Sequence, residues 1–170
     1  RADLKRAQEV AHIGNWRLDV NKDRLVWSDE VYSIFDVPKN TPMTYQMFLE
    51  IVHPEDRSYV DLKWKAALRG EPYDIEHRII AKNEVKWVRE KAAIQFDNKG
   101  LPIECFGTVQ DITELKNIQQ LLEKTNAELE DRVRERTRQL EKLVDVLQRE
   151  INERVRAEKM LLDNQEKLRA

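Results

Sequence analysis

The chain has 170 residues, 30 of them Lys or Arg and 32 Asp or Glu, with a formal net charge of −2 and 36% of residues charged. So near-neutral a balance gives no global reason to expect nucleic acid or an anionic membrane as partner, and a lone cysteine, Cys105, excludes an internal disulfide framework. No apolar run approaches the ~18 residues of a membrane span and nothing reads as a signal peptide, so a cytoplasmic segment with no membrane insertion of its own is expected.

The averages hide a partition. Every Gly, Pro and aromatic residue lies at or before Gly107, whereas Leu115 to Ala170 is 56 residues without Gly, Pro, Cys or an aromatic, 25 of them charged. The first part has the turns and bulky side chains of a compact fold; the second has the composition of a long exposed helix. The chain begins and ends in charged helical sequence, which reads as a piece of something larger.

In chain order, Leu4, Ala7, Val10 and Ala11 mark a short amphipathic helix (1–12). Period-two alternation over Trp16–Val20 and Leu25–Trp27, around Asn21-Lys22-Asp23, predicts a hairpin. Ser28 or Asp29 can cap a helix carrying Val31, Tyr32, Ile34 and Phe35. Pro38 and Pro42 impose an extended break. A second short helix follows, with Met47, Phe48, Ile51 and Val52 on one face, and then a longer one from Tyr59 to Leu68 that stops at Gly70, a left-handed cap position. After Pro72 the period returns to two. Strands are predicted from Tyr73, from Val85 to Phe96 and from Ile103 to Ile112, joined by turns at Lys82-Asn83 and Asp97–Gly100. The order β-β-α-α-α-β-β-β over residues 13–114 is an α+β unit, its sheet antiparallel and its helices on one face.

From Leu115 a second pattern starts. Leu115, Ile118, Leu122, Thr125 and Leu129 step by three and four, and Val133, Arg136, Leu140, Leu143, Leu147 and Ile151 continue the seam. Repeated steps of four at Leu129–Val133 and Leu147–Ile151 are stutters that locally unwind a supercoil. A helix of ~84 Å cannot bury this stripe alone, so residues 115–170 are expected to form a parallel coiled coil with a second copy. Glu130/Arg134 and Glu150/Arg154 are spaced to pair at i,i+4.

Several dispersed segments resemble a PAS sensory domain with its C-terminal PAC segment: Gly14-Asn15-Trp16, Val26-Trp27-Ser28-Asp29-Glu30, Val52-His53-Pro54-Glu55-Asp56-Arg57, Glu76-His77-Arg78-Ile79, Val85-Lys86-Trp87-Val88 and Gly107-Thr108-Val109-Gln110-Asp111-Ile112-Thr113-Glu114. The hairpin before Trp87 departs from the family's usual Asp-Gly. The resemblance implies a PAS fold, a five-stranded antiparallel sheet enclosing a small cavity with helices, used for sensing or dimerisation. It names no ligand, because PAS domains bind flavin, haem, small metabolites or nothing. Arg132-Val133-Arg134-Glu135-Arg136-Thr137 and Glu150-Ile151-Asn152-Glu153-Arg154 resemble the linker helices that follow sensory domains in histidine kinases and cyclases. A histidine kinase, or else a diguanylate cyclase, is the output this implies, in a two-component or related signalling chain. The segment itself is expected not to be an enzyme: its last histidine, His77, falls in a strand, and no nucleophile–base pattern or phosphate loop is present.

Asp111 is placed to cap the long helix, with Glu114 reaching back in a capping box worth ~1 kcal/mol. The resemblance adds a signal-transfer role for Asp111, Ile112, Thr113 and Glu114. Candidate cavity-lining residues are Trp27, Phe35, Met47, Phe48, Trp64, His77, Ile79, Trp87 and Cys105. His53 reads as a turn residue and His77 as a core residue rather than a metal or haem ligand. Haem-binding relatives would carry an axial histidine on the long helix of the fold, and Asp56 to Gly70 contains none. Photoreactive flavin-binding relatives would carry a cysteine in the helical region, and Cys105 is on the last strand. No metal and no tightly held chromophore are expected, and a small ligand is left open. A passive dimerisation scaffold is one competing reading, and a haem- or flavin-binding sensor is another.

Overall fold

The computed structural model describes residues 12–169; the helix predicted over Leu4–Ala11 lies outside them. The chain forms two units, divided between Ile118 and Gln119. In the first, β1 (Ile13–Asp19) and β2 (Arg24–Trp27) make a hairpin. Then come α1 (Asp29–Phe35), α2 (Tyr45–Ile51), α3 (Arg57–Ala67), β3 (Tyr73–Ala81), β4 (Glu84–Phe96) and β5 (Pro102–Asp111). The strands form one antiparallel sheet in the order β2-β1-β5-β4-β3.

Strands β1, β2, β4 and β5 start one to three residues earlier than predicted, because pairing begins at the edge of each turn, while β1 stops at Asp19 and β5 at Asp111, one residue short of the predicted ends. Ala81 pairs with Glu84, leaving Lys82 and Asn83 as a two-residue loop with φ of 47° and 66°. Both residues at positive φ is the type I′ geometry that matches strand twist, so Lys82-Asn83 supplies what Asp-Gly would. At the end of α3, Gly70 has φ 99° and its N–H donates to the Ala67 carbonyl, while that of Glu71 donates to Ala66. This is a Schellman stop.

On β3, Tyr73, Ile75, His77, Ile79 and Ala81 are buried while Asp74, Glu76 and Ile80 are exposed, the alternation that commits one sheet face to the helices. Val31, Ile34, Phe35, Phe48, Val60 and Trp64 fill the space between. Ser28 stands at the N-cap of α1, but its hydroxyl accepts the Asn15 N–H (3.0 Å) instead of capping the helix, so it ties β1 to α1. Thr44 caps α2 by accepting the Met47 N–H at 3.3 Å. Gly107 on β5 is required by close approach: a Cβ there would meet the Lys91 carbonyl and the Trp16 ring.

Both sheet edges are covered in part. Along β3, His53 donates its N–H to the Arg78 carbonyl (2.9 Å), the Arg78 N–H donates to Asp56 Oδ2 (2.8 Å), and Val52 bridges Ile79. At the other edge β2 is four residues long, and Leu25 pairs with Met43.

The second unit continues α4 (Thr113–Arg169), a helix of 57 residues. Leu115, Ile118, Leu122, Leu129, Val133, Leu140, Leu143, Leu147 and Ile151 are all exposed along it. Glu150 pairs with Arg154 as the spacing predicts (3.0 Å), whereas Arg134 takes Asp131 at i,i+3 (3.6 Å) rather than Glu130. Thr125, on the seam, turns its hydroxyl back to the Leu121 carbonyl (2.8 Å).

Candidate sensing core and output junction

Beneath the helices lies a cavity of about 20 Å³ lined by Trp16, Leu18, Leu25, Trp27, Val31, Phe35, Tyr45, Phe48, Trp64, Tyr73 and Glu90. That volume holds a water-sized group. Its walls are a chain of ring contacts, among them Trp27–Phe35 (4.9 Å between centroids), Phe35–Phe48 (5.9 Å), Tyr45–Trp64 (5.5 Å) and Trp64–Tyr73 (5.4 Å). The β-strands put large side chains on alternate positions, and the short helices close over them.

One carboxylate enters this apolar wall. Glu90, on β4, is only 4% exposed. The Tyr73 hydroxyl donates to its Oε2 over a long 3.4 Å, and His77 Nε2 is 3.8 Å away, beyond hydrogen-bond reach. His77 is 1% exposed, and its Nδ1 lies 3.3 Å from the Arg78 carbonyl. A carbonyl only accepts, so Nδ1 carries the proton in that bond and a neutral ring would turn a bare Nε2 lone pair toward Glu90. Burial alone would push the imidazole down, but the Glu90 carboxylate and the Arg78 carbonyl override it, and His77 keeps its second proton above the ordinary range. Tyr73 is pushed well up, first by burial and then by Glu90. Two buried polar atoms have no hydrogen-bond partner among the described residues, His77 Nε2 and Trp16 Nε1.

The other face of the sheet carries the junction. Ile112 donates its N–H to the Trp87 carbonyl (2.9 Å) and accepts the first helical bond of α4 from Lys116 N–H (3.0 Å). Thr113 Oγ1 accepts the Trp87 N–H (3.0 Å) and donates to Asp111 Oδ1 (2.6 Å), which also accepts the Thr113 N–H (2.9 Å). Asp111 therefore makes an Asx-type turn one residue before the cap position, and Thr113, not Glu114, closes the clasp. Beyond it the Lys116 ammonium is 2.6 Å from Glu76 and 5.2 Å from the Trp87 ring centroid. On the same ring the Arg78 guanidinium lies at 5.8 Å. Arg78 also holds Asp56 (2.6 Å) and Glu55 (2.9 Å), and its hydrogen bonds lower the Asp56 carboxyl below its usual value.

Of the residues predicted to line the cavity, Trp27, Phe35, Phe48 and Trp64 do so. His77, Ile79 and Cys105 are buried in the surrounding core. Two lie elsewhere. Met47 is 40% exposed, because on α2 it is about 100° round from the inward Phe48. Trp87 faces the opposite side of the sheet: Val88 and Glu90 point inward, so strand parity sends Trp87 out. Trp16, Leu18, Leu25, Val31, Tyr45, Tyr73 and Glu90 also line the cavity and are not among the residues predicted to do so. Glu90 shares the parity of Val88, and an acid on the apolar parity of a strand was the available signal. Cys105 is fully buried, and burial, then Glu104, raises its thiol to about 11. His53 accepts the Glu55 N–H through Nδ1 (3.4 Å) in the turn before α3.

The sheet order, the inward alternation and the clasp coincide with a family match: the PAS fold family covers residues 24–109. The chain belongs to the PAS fold family. Its PAS head is 34% identical over 109 residues to the blue-light-activated histidine kinase of Brucella ovis, a span that is 64% of this chain and 22% of that protein. It is 29% identical over 109 residues to the sensor protein FixL of Bradyrhizobium diazoefficiens, covering 63% of this chain and 22% of FixL. The chain thus spans about a fifth of the length of the relatives it matches. Among solved structures, a sensory box histidine kinase/response regulator from Burkholderia thailandensis superposes with a TM-score of 0.62 at 23% identity, covering 74% of this chain and 96% of that one; this likeness is one of fold. A flavin or haem does not fit the PAS cavity with the side chains as placed, since such ligands occupy pockets of roughly 300–1,000 Å³ and this one has about 20 Å³.

Proposed function

We propose that this chain is the sensory and relay segment of a multidomain signalling protein, a histidine kinase, acting in the cytoplasm as a homodimer. The observation that carries the reading is the clasp: α4 leaves the sheet through Ile112 and Thr113 bonded to the Trp87 backbone, with no flexible loop between them. A displacement of β4 is then passed to the first turn of α4. The seam from Leu115 to Ile151, exposed throughout, pairs in parallel with a second copy, so both heads meet at the same end. The dimer needs two arrangements of similar free energy that the state of the core biases. Asp111 and Thr113 are positioning residues in this scheme.

Sedimentation equilibrium of the unaltered chain and of the double variant V133D/L140D tests the dimer. Association that the two charges abolish, with the head still folded, is the expected result. A monomer at all concentrations refutes the reading. The relay is tested by fusing the chain to a histidine kinase core: T113V is expected to uncouple autophosphorylation from the state of the head, and unchanged regulation would remove the clasp from the mechanism. Passive dimerisation is the second reading, favoured by the small cavity; the same fusion would then show constitutive output.

A further inference from the structure

Resting on the reading of the PAS core as the sensing element, we infer that its cavity is a receptor for a small ammonium head, an ammonium ion or a primary or methylated amine. The carboxylate of Glu90 is the one acidic group in the lining, and every wall around it apart from a few aliphatic side chains is an aromatic ring. Trp16, Trp27, Phe35, Tyr45 and Trp64 contribute aromatic rings to the lining, and a cation near such rings is attracted by their π-systems. Glu90 keeps open acceptor sites beside the His77 ring, whose second proton it favours. A buried carboxylate has acceptor sites for about four hydrogen bonds, and Glu90 receives one long bond from Tyr73, with His77 held 3.8 Å off. An ammonium N–H fills those sites, and the cavity, about 20 Å³, matches the head alone. Larger methylated heads must move the rings outward, and Trp16 on β1 and Glu90 on β4 carry that movement into the sheet.

The test uses the whole 170-residue chain. Calorimetry and tryptophan emission are followed on titration with ammonium, methylammonium and tetramethylammonium chloride. Methanol serves as the neutral isostere of methylammonium, and sodium and potassium chloride control for ionic strength. Saturable binding of at least one ammonium compound, absent with methanol and sodium, is expected. It should weaken about tenfold or more in Glu90→Gln, a change corresponding to ~1.4 kcal/mol. Binding undiminished in a folded E90Q protein, an equal response to methanol, or no saturable response, meaning the cavity takes water only, each overturns the inference. If E90Q does not fold, the comparison of methylammonium with methanol on the unaltered chain decides. A chain that dimerises and relays but ignores ammonium loses this inference alone, whereas one that binds ammonium yet stays monomeric loses the relay.

Discussion

Thr113→Val removes one oxygen from the clasp while keeping shape and branching, and helix propensity differs little between the two residues. The hydroxyl accepts the half-buried Trp87 N–H at 3.0 Å and donates to Asp111 Oδ1 at 2.6 Å. Leaving the amide without its partner costs ~1–3 kcal/mol, and losing a bond to a charged acceptor ~1.5–3 kcal/mol. The second figure is discounted because Asp111 is only half-buried and keeps the Thr113 N–H at 2.9 Å. The sum is about 2–3 kcal/mol. For a head of roughly 100 residues that lowers the melting temperature by roughly 10–20 °C. All four tryptophans lie between Trp16 and Trp87, so their emission follows unfolding of the head without interference from the helical tail. Thr113→Ser, which retains the hydroxyl, should stay within ~1 kcal/mol of the parent. Hydrogen exchange at the Trp87 amide should accelerate in the valine variant and not in the serine one. If T113V melts within ~0.5 kcal/mol of the unaltered chain, the clasp is not holding α4 to the sheet.

Four further outcomes are expected. His77 has a raised pKa in the fold, so its contribution to stability is complete below the unfolded value of ~6.5 and is lost as pH climbs through the folded value; urea midpoints should fall above pH 6.5, and the fall should vanish in E90Q. Asp56 behaves oppositely: its carboxyl is lowered, chiefly by the Arg78 hydrogen bond, so its contribution holds above ~3.8 and is lost in stronger acid, and Arg78→Gln should blunt that acid loss. Gly107→Ala drives a methyl into the Lys91 carbonyl and the Trp16 ring and should cost at least ~2 kcal/mol by chemical denaturation; a neutral result would show that β4 and β5 can separate freely. Cys105, fully buried with its thiol raised to about 11, should resist iodoacetamide at pH 8 until the head unfolds, and fast native labelling would mean that β5 opens.

Element order and strand identity were legible because period-two runs were separated by Gly, Pro and Asn signals, and because side-chain alternation on β3 is nearly unbroken. The limits were geometric. A seven-residue helix leaves its inward face uncertain by one position, which moved Met47 out of the wall. Parity on β4 had to be anchored by the register of Arg78 with Trp87 and His77 with Val88, which single-strand periodicity cannot supply. Asp111 and Glu114 have the spacing of a capping box, yet β4 brings the Trp87 amide to Thr113, and that long-range partner outcompetes the local one. Glu90 is marked by its apolar parity on β4, but its partners Tyr73 and His77 lie across the ladder, where the strand alone cannot name them. The apolar stripe of α4 was plain from its steps of three and four, since a heptad pattern is local by construction.

The guarded flanks of the sheet bear on how such heads can be strung together. An unprotected outer strand is an invitation to recruit any similar strand nearby, and duplicated sensory modules on one polypeptide would face that hazard at high local concentration. Here the His53–Asp56 turn occupies the outer backbone of β3 and the brevity of β2 offers little to grip. Neighbouring copies are thereby steered away from exchanging strands, and the side chains on the broad surfaces are left to govern which modules meet.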